Sequence, residues 1–159
     1  MALSNRVNLR GGGGEALSKI IFKDGVFNVP MSANQFTRSG YSMTMPSLDS
    51  DGNLIIATSN NSNYQIAGTA YSIDLTDIDA VVFKVKTTAA YNNIGIQMAV
   101  QQTTGIGTDA SVVYAQTTSV TPDFLDFTIN TQNLTGTYYI WVSTVSTLRS
   151  GLVSEIYLS

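Results

Sequence analysis

The chain has 159 residues and a net charge of −3, with 43% hydrophobic but only 12% charged residues. This length suits a single folded domain, and the composition is too apolar for a disordered chain. Cysteine and histidine are both absent, which excludes disulfide bonds, thiolate ligands and every catalytic arrangement built on a histidine base, so we expect a non-enzymatic protein without cofactor or metal ion.

The first 23 residues differ in charge from the rest of the chain. They carry four basic residues and one acidic residue, a net charge of +3, whereas the remainder carries four basic and ten acidic residues, a net charge of −6. This pattern indicates either chance in a short segment or an arm that docks on an acidic neighbour. We expect no nucleic-acid partner, because nucleic-acid-binding surfaces combine a basic stripe with aromatic stacking platforms, and no aromatic residue precedes Phe22. We also expect no membrane association, because neither a long apolar run nor a signal-peptide pattern is present.

Four consecutive glycines occupy positions 11 to 14. With Ala16 they match the dinucleotide-binding pattern G-x-G-x-x-[GA], but that pattern requires a preceding strand and a following βαβ unit. Only ten residues precede the run, and hairpin patterns follow it. It is not a Walker loop either, since Lys19 follows Ser18. Because glycine leaves the backbone free, we predict a hinge between an extended arm, residues 1–17, and a folded body, residues 18–159.

From about residue 18 onward, apolar and polar residues alternate with a period near two. In AVVFKVKT (80–87), Val81, Phe83 and Val85 face one side while Lys84 and Lys86 face the other, as in a half-buried strand. The further runs of this kind are KIIF (19–22), VFNV (26–29), YSMTM (41–45), NLIIATS (53–59), NYQIAGTAYSI (63–73), IGIQMAVQ (94–101), SVVYAQ (111–116), LDFTIN (125–130), TYYIWVST (137–144) and LVSEIYL (152–158). Turn-forming residues separate them. The pattern predicts an all-β antiparallel sandwich or barrel, with short helical turns near 16–19 and 75–79.

Two acidic groups raise the question of a metal site. Residues 49–53, DSDGN, offer oxygen ligands, but glycine stands at the fourth position instead of the sixth, and the twelfth is Asn60 instead of glutamate. We interpret them as a turn before a strand, with an irregular ion site as the alternative. Asp74, Asp77 and Asp79 are interpreted in the same way, as residues that cap and solvate a turn.

Aromatic residues are concentrated in TYYIWVST. By strand alternation Tyr139 and Trp141 share one face, while Tyr138 faces the other way. Exposed rings on a sandwich would stack on sugars, whereas buried rings fill the core. Tyr139 and Trp141 are therefore candidate glycan contacts as well as candidate core residues, and Tyr64 and Tyr91 are further candidates in loops.

Three segments carry a resemblance to a known family. YSIDLTDIDAVVFKVK (71–86), FTINTQNLTGTYYIWVST (127–144) and the closing SEIYLS (154–159) resemble the carbohydrate-binding-module-type jelly rolls of virion structural proteins in tailed phages that infect Gram-positive bacteria. The resemblance covers roughly residues 40–159. It implies a jelly-roll sandwich of eight or more strands, with the last two at 137–144 and 152–158, but it attaches no binding site.

This resemblance implies a non-enzymatic virion protein assembled in the host cytoplasm, of which a capsid decoration (auxiliary head) protein is the leading interpretation. Its partner would be the major capsid protein or another virion protein, in several copies per particle. The residues predicted to attach it are Arg6, Arg10, Gly11, Gly12, Gly13 and Gly14. The alternative is a carbohydrate- or receptor-binding module of a phage tail or baseplate, with a host-surface glycan as ligand.

Overall fold

A computed structural model of the chain describes residues 19–159. It contains the strands β1 (Ile20–Lys23), β2 (Val26–Phe27), β3 (Met31–Ser32), β4 (Ser42–Thr44), β5 (Ser47–Leu48), β6 (Leu54–Ala57), β7 (Asn63–Thr69), β8 (Ile73–Asp74), β9 (Ala80–Ala89), β10 (Gln97–Gln101), β11 (Val113–Gln116), β12 (Leu125–Asn130), β13 (Thr137–Thr144) and β14 (Ser150–Leu158). Within this range no helix is long and apolar enough to cross a membrane. The predicted arm, with Arg6, Arg10 and the glycines 11–14, lies outside the described residues.

The strands form two sheets that pack face to face, which confirms the predicted all-β sandwich. The first sheet has the order β12-β9-β14-β1-β2, with β6 beside β14 and β5 beside β6. The second has the order β11-β10-β13-β7-β3, with β4 beside β7 and β8 beside β13. All pairs are antiparallel except β4 with β7, which is parallel. The jelly-roll connectivity remains a prediction.

The central strand of the first sheet is β14. It pairs with β9 along one side, while β6 and β1 share its other side. Strand β1 lies beside the end of β14, where Ile20 faces Tyr157 and the N–H of Leu158 donates to the carbonyl of Lys19 at 2.6 Å. The first and last described residues therefore lie side by side.

The main core lies between the sheets and follows the predicted alternation. Val81, Phe83 and Val85 are fully buried, as predicted, and full burial of each such side chain contributes about 2 kcal/mol. Facing outward from the same sheet, the ammonium groups of Lys23 and Lys84 lie 3.5 and 3.7 Å from the carboxylate oxygens of Glu155. Because both lysines are exposed to solvent, these ion pairs add little stability. The outer face of the first sheet thus combines charged residues with the buried Val82 and the half-buried Tyr157 opposite it.

The outer face of the second sheet, in contrast, carries a second hydrophobic cluster. Its buried members are Ala33, Phe36, Tyr64, Ile66, Ala99, Ile106 and Trp141. Two loops, residues 33–41 and 102–112, cover this face and are joined by backbone hydrogen bonds. The N–H of Ile106 donates to the carbonyl of Thr37 at 2.8 Å, and the N–H of Thr37 donates to the carbonyl of Thr104 at 3.0 Å.

The position of the Phe36 ring depends on Gly68. In the pairing of β13 with β7, Trp141 lies opposite Gly68, and the ring of Phe36 fills the space that a side chain at position 68 would occupy. A Cβ atom at position 68 would lie only 2.1 Å from the Cε2 atom of Phe36 and 3.1 Å from the Cβ atom of Trp141. The absence of a side chain at position 68 therefore allows the 33–41 loop to close over the sheet.

We expect Gly68→Ala to destabilise the folded protein by about 2 kcal/mol or more, because the added methyl group overpacks the space beneath Phe36. Chemical denaturation gives the change in the free energy of unfolding. The control is a double-mutant cycle with Phe36→Leu, in which the two substitutions together should cost less than their sum. Additive costs would contradict this account of Gly68.

Three details of the predicted elements are corrected. Strands β3 and β5 were not predicted, and the run 63–73 is two strands separated by a bend instead of one. The predicted helical turn near 75–79 is wrong. The chain forms a β-turn there, with the N–H of Ile78 bonded to the carbonyl of Leu75 at 3.1 Å and Asp77 at a φ of 66°. The capping role of Asp74 is confirmed, since its carboxylate accepts the N–H of Thr76 at 2.9 Å.

Candidate functional site

Trp141 and Tyr139 share the outer face of the second sheet, as predicted, but Trp141 is only 1% exposed. Its indole N–H donates to the side-chain oxygen of Gln101 at 2.9 Å, and the amide nitrogen of Gln101 donates to the carbonyls of Thr103 and Gly105 at 2.8 and 3.1 Å. A buried indole N–H needs such a partner. Trp141 therefore ties β13 to the 102–112 loop.

This burial weighs against direct glycan contact by Trp141, although glycan contact by Trp141 and Tyr139 stays a prediction. Tyr139 is half-buried and packs edge-on against Phe36, with ring centroids 5.8 Å apart. The accessible ring is Tyr114 on β11, which is 48% exposed and meets the indole of Trp141 at 5.8 Å and an interplanar angle of 77°. Ala99 lies between these two rings in the sheet register, and its small side chain lets them meet.

A row of three polar residues, Gln97, Gln116 and Ser143, lies next to Tyr114 on the outer face of the second sheet. Gln97 on β10 is paired with Gln116 on β11 and with Ser143 on β13. Among the described residues, the side-chain amides of Gln97 and Gln116 have no protein hydrogen-bond partner, and the buried hydroxyl of Ser143 has none either. Amides offer both donors and acceptors. The amides of Gln97 and Gln116 therefore present unused hydrogen-bonding groups beside an exposed aromatic ring.

A turn in the 33–41 loop places an arginine beside a tyrosine. The N–H of Tyr41 donates to the carbonyl of Arg38 at 3.2 Å, and Gly40 adopts a φ of 83°, which favours glycine. The turn brings the guanidinium carbon of Arg38 to 4.9 Å from the centroid of the Tyr41 ring. Contacts of this length are cation–π interactions.

Tyr64 on β7 completes what we call the arginine–tyrosine cluster, consisting of Arg38, Tyr41 and Tyr64. The guanidinium donates to the hydroxyl of Tyr64 and lies 5.2 Å from its ring centroid, and the two tyrosine rings meet edge-on at 5.1 Å. Burial raises the pKa of Tyr64, and the nearby Arg38 charge only partly opposes this. Tyr64 lies on the same face of β7 as Ile66, which is paired with Ser143 on β13, and Ser143 is paired with Gln97 on β10. The cluster and the row beside Tyr114 therefore lie on the same side of the second sheet. We call this surface the aromatic–amide face: Arg38, Tyr41, Gln97, Tyr114 and Gln116.

The 102–112 loop beside this face is held by Asp109. Its carboxylate accepts the N–H of Thr103 at 2.5 Å and the N–H and hydroxyl of Ser111 at 2.8 and 2.5 Å. Burial opposes ionisation of Asp109, but these hydrogen bonds outweigh it and lower its pKa to about 2 from the ordinary 3.8. Because the folded-state pKa is the lower one, the carboxylate stabilises the fold fully above about pH 4, and this contribution is lost as the pH falls toward 2.

We expect Asp109→Asn to lower the free energy of unfolding by about 1 kcal/mol at pH 7, a value reduced from the full linkage because the carboxylate is largely screened by water. Near pH 2 the mutant and the parent protein should converge. Urea unfolding at both pH values measures this, with Asp123→Asn in an exposed turn as the control. A difference that does not change with pH would show that the ionised carboxylate is not what holds the loop.

The other candidates predicted from the sequence, the DSDGN turn and Tyr91, are not part of the aromatic–amide face. In the DSDGN turn the carboxylate of Asp49 accepts the N–H groups of Asp51 and Asn53 at 2.9 and 2.8 Å and the amide of Asn53 at 2.9 Å. The side-chain bond from Asn53 is the largest cause of the lowered pKa of Asp49. The turn interpretation is confirmed. Tyr91 is 48% exposed, in a turn closed by paired hydrogen bonds with Ile94.

Sequence reasoning missed Arg38, Tyr41, Tyr114 and the two glutamines. Alternation in SVVYAQ was a usable signal, since it puts Tyr114 and Gln116 on one face of a strand. Nothing comparable marks Arg38, whose position follows from the packing of two loops. A comparison of this chain with protein-family models and with curated proteins gives no match. The candidate site is therefore argued from the geometry of the described residues alone.

Proposed function

We propose that this chain is a non-enzymatic virion structural protein of a tailed phage, acting as a capsid decoration protein. In this proposal the arm and one edge of the sandwich bind the major capsid protein, and several copies occupy each particle. The resemblance of residues 40–159 to phage jelly-roll domains and the basic character of the first 23 residues support it.

The observation that carries the proposal is an exposed apolar edge at the turn between β1 and β2. Val26 on the edge strand β2 is 56% exposed, and Leu48, 41% exposed, lies against Gly25 in the adjacent turn. A shallow cavity of about 210 Å³ opens here, lined by Ile20, Lys23, Asp24, Val26 and Asn28. An apolar edge strand is a surface that proteins ordinarily protect. A partner that covered this edge would reach along β1 as far as Ile20, which lines the same cavity.

Strand β1 is well suited to carry an attachment. Ile21 and Phe22 are fully buried, and β1 is paired on both sides, with β14 and β2. In this proposal, a partner bound by the residues before Lys19 is therefore attached to a strand that is itself held in the sandwich by packed side chains and hydrogen bonds.

Deletion of residues 2–14 should strongly reduce the number of copies retained on purified particles, because it removes Arg6, Arg10 and the glycines. Occupancy is measured by quantitative gel analysis of purified particles, with circular dichroism of the free protein as the folding control. Unchanged occupancy would contradict attachment through the arm.

A matched pair of substitutions tests the edge. Val26→Asp and Val120→Asp each place a charge at a valine that is more than half exposed, 56% and 58% respectively. Only Val26→Asp should lower occupancy, because Val120 lies in the loop before β12, which is at the opposite edge of the first sheet from β2. Equal effects of the two substitutions would show that the edge at β2 is not the attachment surface.

The second candidate function is a carbohydrate- or receptor-binding module, and the aromatic–amide face favours it. Tyr114 offers a ring on which a sugar can stack, and the free amides of Gln97 and Gln116 can exchange hydrogen bonds with its hydroxyl groups. This candidate places the glycan contact on Tyr114 instead of the buried Trp141.

For this candidate we expect Tyr114→Ala to weaken glycan binding about tenfold, the loss of one aromatic contact. Binding is measured on a glycan array and confirmed by calorimetry on the strongest ligand. Tyr91→Ala is the matched control, since Tyr91 and Tyr114 are both 48% exposed. Loss of binding in Tyr91→Ala alone would place the site in the 91–94 turn and contradict the assignment to this face.

A further inference from the structure

We infer that the arginine–tyrosine cluster is a binding site for the oxyanion of an acidic saccharide, a sugar that carries a carboxylate or a phosphate. This inference rests on the second candidate function and adds the chemical class of its ligand. Its basis is the state of Arg38, a cation that is exposed, held in a defined orientation and not neutralised by the described part of the protein.

Arg38 has unused hydrogen-bonding capacity. The ion pairs formed within residues 19–159 join Glu155 to Lys23 and Lys84, and none involves Arg38. Its guanidinium donates to the hydroxyl of Tyr64 and to no other described group. A guanidinium carries several N–H donors and no acceptor, so the remaining donors suit an acceptor with negative charge.

The orientation of Arg38 is fixed before any ligand binds. The rings of Tyr41 and Tyr64 lie 4.9 and 5.2 Å from the guanidinium carbon, and the Tyr64 hydroxyl accepts one of its N–H groups. An arginine held in this way loses less conformational entropy when it binds a ligand than a free surface arginine does. Stacked, planar guanidinium groups match the geometry of carboxylate and phosphate oxygens.

Space for the ligand is kept by a glycine in the second loop. A Cβ atom at Gly107 would lie 3.6 Å from the guanidinium carbon of Arg38, and Gly107 adopts a φ of 78°, which disfavours other residues. A larger side chain there would crowd the approach to Arg38. The ligand also finds an apolar surface, since the ring of Tyr41 is 36% exposed.

A saccharide is the acid-bearing ligand that fits the rest of this surface. An oxyanion alone would use Arg38, but it would not use the Tyr41 ring, the Tyr114 ring or the free amides of Gln97 and Gln116. A sugar ring has C–H groups that pack on tyrosine and hydroxyl groups that bind amides. We therefore place the acidic sugar at Arg38 and Tyr41, and neighbouring sugars of the chain toward Tyr114.

The experiment measures binding of the full chain to three probes by calorimetry at low and high salt: sialyllactose as the carboxylate, lactose 6′-phosphate as the phosphate, and lactose as the neutral sugar. At least one acidic probe should bind about tenfold or more tightly than lactose, the effect of one charge-assisted contact. Binding of that probe should weaken as the salt concentration rises. The acidic probe that binds identifies which oxyanion is preferred.

Four variants identify the residues that produce the preference for the acidic probe. Arg38→Gln should remove the preference for the acidic probe, and Arg38→Lys should remove most of it because lysine lacks the planar fork. Tyr64→Phe, which removes the hydroxyl that holds the guanidinium, should give a smaller loss. Lys86→Gln is the matched control, since it removes the same charge from the outer face of the opposite sheet and should leave the preference unchanged.

The outcomes separate this inference from the function on which it rests. Equal binding of acidic and neutral probes, or an acidic preference that survives Arg38→Gln, overturns the inference, while binding lost in Tyr114→Ala would still support a glycan-binding module. Failure to bind any saccharide overturns both. The proposal that the chain is a capsid decoration protein is tested separately, by the number of copies retained on purified particles.

Discussion

Burial of one large side chain on the outer face of the second sheet organises this molecule. Trp141 lies on the side of the sheet that would ordinarily face water, so its ring must be covered and its N–H must be bonded. Ala99 and Gly68 beside it are small, and the space they leave is filled by Tyr114 and Phe36. Phe36 brings one loop onto the sheet, and Gln101 holds the other. The residues of the aromatic–amide face are carried by the first of these loops, 33–41, and by strands β10 and β11.

The two sheets consequently differ in character. The first sheet has an apolar face toward the main core and an outer face on which Lys23 and Lys84 pair with Glu155. The second sheet is covered on both faces over much of its area, by the main core on one side and by loops on the other. A surface built from loops over a rigid sheet can vary in side chains without disturbing the core, and binding sites are common in such positions.

How well each part of the structure can be predicted from the sequence depends on how far apart along the chain the interacting residues are. Strands β12 and β13 were predicted with their observed bounds. In β12 polar residues alternate with apolar ones over six residues, and β13 is an eight-residue run rich in β-branched and aromatic residues that is buried on both faces over most of its length. Strands β3 and β5 have two residues each, too few to show a period. The same alternation put Trp141 and Tyr139 on one face but could not show what covers them. Arg38 and Tyr64 are 26 positions apart in the chain, and only the folded loops bring them together.

The hydrogen bond between Leu158 and Lys19 has a practical consequence for locating the protein within a larger assembly. The two ends of the described chain meet at one point of the first sheet, and Ser159 is itself fixed there by backbone bonds to Asp79 and Ala80. A fluorescent or electron-dense label fused after Ser159 would therefore mark the position of Lys19. The aromatic–amide face belongs to the other sheet, so such a label would report on one surface and leave the other open.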